Sequence, residues 1–193
     1  MNSIFSDQKG KMTEQRSRFL SFAFPCESVE KQSNLLKKMR VEYPSATHIC
    51  YASAIDCGDI RYFSSDDGEP SGTAGVPILN VLKEKQLVNV IVFVVRYFGG
   101  IKLGTSGLFK AYKECAELSL ENVVPVMKKK LFKMRCSYEN FDKIKKIAGK
   151  DNIDDVKFSE NVSFLIYLKE DDDKLFLDVA DEMEDLCQFK YVR

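Results

Sequence analysis

The chain has 193 residues, of which 45% are apolar and 30% charged, and its 29 basic side chains are balanced by 29 acidic ones. This composition is ordinary for globular domains with a buried core, and the zero net charge excludes an overall basic field, so any attraction to nucleic acid must come from local patches. The longest unbroken apolar run has six residues, 90–95, and residues 1–19 contain no apolar signal core, so we expect no membrane span, no secretion and a cytoplasmic location.

The chain is poor in histidine, and its cysteines are scattered, which bears on metal binding. His48 is the single histidine, and no two cysteines form a Cys-x-x-Cys pair. The ligand spacing of a zinc site is therefore missing, and the scatter favours buried thiols in a reducing compartment. We predict neither a metal nor another cofactor. The cysteines are Cys26, Cys50, Cys57, Cys115, Cys136 and Cys187.

Strand and helix patterns alternate in the first two thirds of the chain. The run 87–98 is β-branched and apolar on both faces, which predicts a central strand. Pro44 ends one predicted helix, and Pro77 lies in the first turn of another. A third helix is expected to open with Thr105 or Ser106 as its N-cap. Its predicted buried stripe is Leu108, Tyr112, Cys115 and Leu118. The predicted strands are 17–24, 47–55, 60–64 and 87–98, and the first two predicted helices are 28–43 and 76–86.

The remainder of the chain predicts a ferredoxin-like domain, because its patterns follow the order strand, helix, strand, strand, helix, strand. Acidic residues in the first turn of the second helix favour its dipole. Pro125 ends the preceding block, so we place a boundary near 125–130 and predict two domains, 1–127 and 128–193, with an α+β fold class. The predicted elements are strand 129–138, helix 139–150, strands 153–158 and 162–169, helix 171–186 and strand 188–193.

Charge is uneven within this second domain. Residues 126–150 carry nine basic and two acidic side chains, a balance of +7, whereas 151–193 carry five and thirteen, a balance of −8. The two stretches indicate either solvated faces of one domain that partly neutralise each other, or an interaction edge, which would be a basic edge for RNA or an acidic edge for a basic partner.

The sequence SSDDGEPSGTAGVP at 64–77, here called the acidic loop, places Asp66, Asp67 and Glu69 within four residues. Carboxylates at this density can gather Mg²⁺, but their spacing is not that of an EF-hand. Acidic side chains before a helix can instead accept hydrogen bonds from its first amides. Gly68 and Gly72 add conformational freedom to the loop. We expect these residues to shape the fold first, to contact a ligand or partner second, and to bind no metal.

Residues 99–107, here called the glycine loop, contain Gly99, Gly100, Gly104 and Gly107 between the predicted central strand and a helix. Glycine amides, a helix N-terminus and a nearby cation together form an anion nest. The loop matches neither the G-x-x-x-x-G-K-[ST] pattern of a P-loop nor the G-x-G-x-x-G pattern of a dinucleotide site. Two interpretations remain: phosphate binding, as on an RNA backbone, or tight packing of strand on helix without a ligand.

The candidate contacts to backbone phosphate are Arg96, Lys102 and Lys110. Tyr97 and Tyr112 are either stacking platforms for bases or core residues. His48 and Cys50 lie two residues apart in a predicted strand and would share a face. A catalytic Cys–His pair is therefore conceivable, although a strand histidine is more often a packed residue.

Two long motifs carry a resemblance to a known family. SDDGEPSGTAGVPIL followed by VVRYFGGIKLGTSGLFKAY closely resembles the signature of the IMPACT/YigZ family of translation-associated proteins, and RSRFLSFAFP and ATHICYA resemble its leading segments. The resemblance covers about residues 14–122, and the remainder is similar to the small C-terminal domain of the bacterial-type members. It implies a first domain like ribosomal protein S5 domain 2 and a ferredoxin-like second domain.

Three positions depart from the family pattern. Ile49 replaces the second histidine of THHCYA, which argues against metal or catalytic chemistry. Ser106 and Lys110 stand where the family reads TGGLVRAY. Serine in place of glycine reduces the backbone freedom of the loop, and lysine in place of arginine cannot form the paired hydrogen bonds of a guanidinium to phosphate.

Three classes of function compete on these observations. The first is a non-catalytic, translation-associated regulator that binds RNA or the ribosome through the glycine loop, which the resemblance implies. The second is a regulator that binds only proteins. The third is a metal-dependent enzyme on a phosphorylated substrate, with Asp66, Asp67 and Glu69 opposite Lys102. The first is the one we expect.

Overall fold

The structure, a computed structural model, describes residues 1–169 and 172–192. Within them it has eleven strands and four α-helices, which confirms the α+β fold class. The chain divides into two compact units, Met1–Pro125 and Val126–Arg193, each with its own sheet and apolar core. None of the helices described is long and apolar enough to cross a membrane.

The first unit contains a five-stranded antiparallel sheet in the order β2-β3-β6-β4-β5, and β1 pairs with β7 outside it. This is the α+β domain that the resemblance to ribosomal protein S5 domain 2 implies. Its elements are β1 Asn2–Ser3, β2 Gln8–Glu14, β3 Ser17–Pro25, α1 Val29–Glu42, β4 His48–Asp56, β5 Ile60–Ser65, α2 Gly75–Glu84, β6 Val90–Tyr97, α3 Gly104–Leu118 and β7 Val124–Pro125.

Strand β6 is central, as its apolar sequence predicts. Its side chains alternate between two cores, so residues 90–95 are all fully buried. Val90, Val92 and Val94 pack with side chains of α2 and α3, whereas the residues between them pack with side chains of α1. Helices therefore cover both faces of the sheet, and the loop that follows β6 emerges at the end of a rigid strand.

Strand β2 is not predicted by the sequence pattern. It lies at the edge of the sheet, where its own residues Lys9, Lys11 and Thr13 are exposed, and Met12 is its main apolar contribution to the core. An edge strand needs little apolar alternation, because one of its sides faces solvent.

Helix α3 begins one residue before the predicted N-cap. Gly104, with a φ of 72°, supplies the turn into the helix, so Thr105 and Ser106 lie in its first turn and neither caps it. The predicted stripe is buried at Leu108, Tyr112 and Cys115. Leu118, the last residue of the helix, was predicted to be buried but is 40% exposed.

The second unit has an antiparallel sheet in the order β11-β8-β10-β9. Strand β10 lies between β8 and β9, and β8 lies between β10 and β11, which is the interleaved order of ferredoxin-like folds. One helix, α4, packs on its core through Phe141 and Ile144. The elements are β8 Met127–Cys136, α4 Tyr138–Ala148, β9 Ile153–Phe158, β10 Val162–Leu168 and β11 Glu182–Val192, with short 3₁₀ helices at Lys150–Asn152 and Asp172–Phe176.

The predicted helix 171–186 is wrong over most of its length. Only Asp172–Phe176 is helical, as a 3₁₀ helix, and Glu182 already begins β11; residue 171 lies outside the described residues, as does residue 193 of the predicted last strand. Strand β11 pairs with β8 from Glu182 to Val192, with a bulge between Asp185 and Gln188. This long ladder outweighs the helix propensity of its acidic first half, which is a weak preference.

Candidate functional site

The acidic loop is held by internal hydrogen bonds, beginning with Asp66. One carboxylate oxygen of Asp66 accepts from the amides of Ala74 and Gly75, at 3.0 and 2.8 Å, and the other accepts from the amide of Gly72 at 2.9 Å. Burial acts to raise the pKa of the Asp66 carboxyl, but the three amide bonds outweigh it and hold the pKa below its usual range. Asp66 therefore caps the start of α2.

Asp67 ties the same loop to two neighbouring elements. Its carboxylate accepts from Arg40 on α1 and from the amide of Ile49 on β4, each at 2.7 Å. Its backbone carbonyl lies 2.8 Å from Nδ1 of His48, so that nitrogen carries the proton, because a carbonyl can only accept. Asp67 and His48 thus fix the acidic loop on β4.

Glu69 lies at the centre of a buried polar network. Its Oε1 accepts from Nη1 of Arg96 at 2.6 Å and from the hydroxyl of Tyr112 at 2.8 Å, and Nε2 of His48 is 3.8 Å away. Both charged partners are shielded, since the side chains of Arg96 and Glu69 are 5% and 4% exposed. Burial, and then the neighbouring Cys50, raises the pKa of Tyr112, which stays a hydrogen-bond donor.

Arg96 makes further contacts on β3 and the glycine loop. Its Nη2 donates to the hydroxyl of Ser17 at 3.3 Å, and the amide of Gly99 donates to the same oxygen at 3.2 Å. The guanidinium lies 5.4 Å from the ring centroids of Phe19 and Phe98. Its Nε is buried and has no hydrogen-bond partner among the residues that the structure describes.

A pocket of about 330 Å³ lies where the acidic loop, the end of β6 and the start of α3 meet. It brings together two of the predicted phosphate contacts, Arg96 and Lys102, with the buried Glu69. Its remaining lining is Pro70, Phe98, Leu103, Gly104, Thr105 and Leu108.

The N-terminus of α3 opens onto this pocket without a side-chain cap. Its N-cap residue, Leu103, offers no acceptor, and the first turn contains no acidic residue. In contrast, the hydroxyls of Ser28 and Ser137 cap α1 and α4, and the acidic loop caps α2. The first amides of a helix have no intrahelical acceptor, so those of Gly104 and Thr105 remain available to an anion.

The other candidate residues lie outside the pocket. The side chain of Lys110 is 78% exposed and lies 3.8 Å from Glu114. Gly107 lies within α3, and Gly100, with a φ of 84°, lies in the turn before it. Gly99 is constrained by close packing, because a Cβ there would lie 2.0 Å from the carbonyl carbon of Arg16.

The two candidate stacking residues are not exposed platforms. Tyr112 is fully buried, so of the two roles considered for it, core residue or stacking platform, it has the first. Tyr97 is half-buried on the α1 face of the sheet, with the guanidinium of Arg18 at 4.3 Å from its ring centroid. The aromatic side chain beside the pocket is instead Phe98, which is 47% exposed and which the sequence interpretation did not select. Its position directly before Gly99-Gly100, past the end of β6, was the available signal.

His48 and Cys50 do not form a nucleophile–base pair. Cys50 donates to the backbone carbonyl of Asp66 at 3.0 Å and contacts the Tyr112 hydroxyl at 3.4 Å, whereas His48 bonds to Asp67. Burial raises the pKa of the Cys50 thiol, which keeps it protonated.

The sequence of this chain is similar to those of a known family. The model of the Impact N-terminal domain matches residues 15–120. IMPACT family member YvyE of Bacillus subtilis is 33% identical over 174 residues, covering 88% of this chain and 80% of that protein. IMPACT family member YigZ of Escherichia coli is 35% identical over 138 residues, 69% of this chain and 68% of that one.

Other relatives match a shorter stretch of the chain, while one solved structure covers nearly all of it. Protein IMPACT of Rattus norvegicus is 36% identical over 110 residues, 54% of this chain and 34% of that protein. A crystal structure of a hypothetical protein superposes with a TM-score of 0.63 at 25% identity, covering 99% of this chain and 95% of that one. The two-domain translational regulator Yih1 reaches a TM-score of only 0.40, which is too low to support an inference. From the family match and the bacterial relatives together, the chain belongs to the IMPACT family.

Proposed function

We propose that this protein is a non-catalytic, translation-associated regulator that binds RNA, free or within the ribosome, through the pocket at the glycine loop. The observation that carries the proposal is the uncapped N-terminus of α3, which lines a pocket together with Lys102 and Arg96. Association with translation is what the family resemblance implies, and membership of the family supports it.

The pocket suits a phosphate group because it offers both amide donors and positive charge. Free amides at Gly104 and Thr105 and the dipole of a 15-residue helix favour an anion, an effect of about 0.3–1 kcal/mol at an exposed helix end. The negative charge of Glu69 is neutralised by its ion pair with Arg96, so it does not repel the anion. With Lys102 added, the net charge of the pocket lining is +1, from two cations and one carboxylate.

The lining also suits an unstacked base. Phe98 is half exposed beside the donors, and an aromatic face can stack on any base. Such a base is available in a single strand, a loop or a bulge but not within a duplex. We therefore propose single-stranded RNA as the ligand.

A role without chemistry is supported by the state of the acidic residues. The carboxylates of Asp66, Asp67 and Glu69 each accept hydrogen bonds from backbone or side-chain donors. All three carboxylates are already engaged by these donors, so they do not form a shared metal site. Their hydrogen bonds give each of them a role in holding the fold. The six free cysteines fit a reducing cytoplasm, which is the location we propose.

Fluorescence anisotropy of a labelled single-stranded RNA, at about 50 and 200 mM salt, tests the proposal. We expect binding that weakens steeply with salt, because phosphate contacts release counterions, and that falls at least about tenfold in Lys102→Glu/Lys110→Glu. Lys157→Glu is the matched control, since Lys157 is an exposed lysine of the second unit. No binding of the wild type, or no effect of the double variant, would contradict the proposal. Retention on ribosomes by a salt-insensitive contact would then favour a protein partner docking on the exposed Phe98 and Ile101.

A further inference from the structure

We propose that a single strand of RNA held at the glycine loop continues across an adjacent surface on the α1 side of the sheet, here called the basic sheet face. This inference rests on the proposed function and adds the path of the bound strand. The basic sheet face consists of the cations Lys9, Lys11 and Arg18 with the apolar and aromatic side chains Leu20, Phe22, Tyr43 and Tyr97.

The strand register places the three cations on one face. Lys9 lies opposite Phe22, Lys11 opposite Leu20, and Arg18 opposite Tyr97. Directly opposed residues of antiparallel strands point to the same side, so the basic and aromatic groups alternate on a common surface. Lys9 Nζ is 5.7 Å from the ring centroid of Phe22, which shows that the two groups are adjacent.

The cations of this face have no ion-pair partner in the part of the chain that the structure describes. Lys9, Lys11 and Arg18 are exposed, and none forms an ion pair with a residue of 1–169 or 172–192. Residues 8–18 contain four basic side chains and one acidic one, a balance of +3 in a chain whose total charge is zero. Unpaired cations grouped on one side of a neutral protein indicate an anionic partner.

A groove of about 550 Å³, a volume in the range of ligand-binding clefts, lies at the β2 edge of this face and extends around it to Gly10 and Leu118 on the α3 side. Tyr43 and Phe22, whose ring centroids lie 5.1 Å apart, line it together with Lys9 and Lys11. Its single acidic lining residue is Glu121. A groove with aromatic walls and a cationic rim is the general form of single-strand binding surfaces.

The basic sheet face meets the glycine loop at the end of the sheet. The guanidinium of Arg18 covers the ring of Tyr97, the residue before Phe98, and Gly99 packs on the backbone of Arg16. From Arg18 to Phe22 the strand runs about 13 Å, which corresponds to about four stacked nucleotides. Because Arg96 faces the α3 side and Tyr97 the α1 side, the proposed strand of RNA would pass around this end of the sheet from one surface to the other.

A protein strand is the less suitable occupant. The free edge beside this face belongs to β2, and lysines on an edge strand discourage pairing with another strand. Three exposed cations and two half-buried tyrosines suit the phosphates and bases of RNA instead.

The test compares labelled oligouridylates of three and ten nucleotides in anisotropy titrations over a series of salt concentrations. We expect the longer oligonucleotide to bind at least about tenfold more tightly, because it alone reaches the basic sheet face. In Lys9→Gln/Lys11→Gln the slope of log K against log salt for the ten-mer should fall by about 1.4, the value for two phosphate contacts on a single strand. Binding of the three-mer should be unchanged in that variant and weakened in Lys102→Glu.

The outcomes separate this inference from the proposed function. If the ten-mer binds Lys9→Gln/Lys11→Gln with the wild-type affinity and slope, while Lys102→Glu still weakens it, the path across the sheet is wrong and the glycine-loop site stands. If neither oligonucleotide binds the wild type, both are wrong. Equal melting temperatures of the variants and the wild type exclude misfolding as the cause, and both lysines are exposed side chains of an edge strand.

Discussion

At the scale of single residues, the buried pair of Glu69 and Arg96 is expected to stabilise the first unit. Arg96→Met would leave the Glu69 carboxylate buried with Tyr112 as its main donor, and breaking a buried pair on one side costs about 3–5 kcal/mol. We expect a loss of this size in urea unfolding of the first unit, followed by circular dichroism.

The matched control is Arg40→Met, which makes the same change at another arginine paired with the acidic loop. Arg40 bonds to Asp67 at 2.7 Å, but its side chain is 55% exposed, so a loss of no more than about 1 kcal/mol is expected. Similar losses for Arg96→Met and Arg40→Met would show that the Glu69–Arg96 pair is not the anchor of the site.

Asp66 should make stability depend on pH in the acid range. Its pKa is lower in the folded than in the unfolded state, so its contribution is fully present above the unfolded value of about 3.9 and is lost as pH falls through the folded value. Asp66→Asn removes this contribution and keeps only one acceptor oxygen for the amides of α2.

The melting temperatures of wild type and Asp66→Asn are therefore expected to differ most near neutral pH and to converge at pH values below about 4. Asp59→Asn, at an exposed position in the turn between β4 and β5, serves as the control. A gap between wild type and Asp66→Asn that stays constant down to acid pH would disprove the capping role of the carboxylate.

At the scale of elements, the glycine loop combines a close approach with an unusual backbone conformation. Gly99→Ala would drive its Cβ into the backbone of Arg16, at 2.0 Å, whereas Gly100→Ala meets no atom within 4 Å and suffers only from its φ of 84°. A left-handed conformation costs about 1–2 kcal/mol for a residue with a Cβ.

Thermal unfolding should therefore show a clearly larger loss for Gly99→Ala than for Gly100→Ala. The two variants also separate a role in packing from a role in ligand binding. Gly100→Ala is expected to keep the fold, so its affinity for RNA can be measured by titration. Equal stability of the two variants would mean that the loop does not pack tightly on the turn between β2 and β3.

Most elements could be predicted from the sequence because local pattern and tertiary environment agree in them. The apolar run of β6 and the amphipathic pattern of α4 are examples. The exceptions are governed by non-local pairing. Strand β2 forms because it pairs with β3, although its own sequence has no strand pattern. The first half of β11 is held as a strand by its pairing with β8, although its sequence favours a helix.

The candidate site could be predicted only in part, for a physical reason. Glycines and cations after a central strand indicate an anion nest, and the pocket does contain Arg96 and Lys102. The sequence could not show that Arg96 is buried on Glu69, since this ion pair joins residues 27 positions apart. Nor could it show that Phe98, rather than Tyr97 or Tyr112, lies beside the pocket, because burial depends on which helices cover each face.

At the scale of the whole molecule, we propose that residues 1–127 form a domain that folds independently of 128–193. The fragment 1–127 retains both cores of the first unit and the pairing of β1 with β7. It should unfold in one cooperative thermal transition and should bind the three-nucleotide RNA as the full chain does.

A shorter fragment, 6–127, provides the control for this expectation. It loses β1 and the buried Ile4, and removal of a buried isoleucine side chain alone costs about 2–5 kcal/mol. It should melt at a clearly lower temperature. A fragment 1–127 without a cooperative transition would contradict the proposed boundary.

The central claim, that phosphate binds at the uncapped start of α3, is tested most directly by nuclear magnetic resonance of the ¹⁵N-labelled protein titrated with the three-nucleotide RNA. The account predicts that the amide signals of Gly104, Thr105 and Ser106 move downfield and saturate together, since a new hydrogen bond to phosphate deshields them, and that Lys102→Glu weakens this response. Saturable binding that leaves these three amides unmoved while signals elsewhere shift would contradict it.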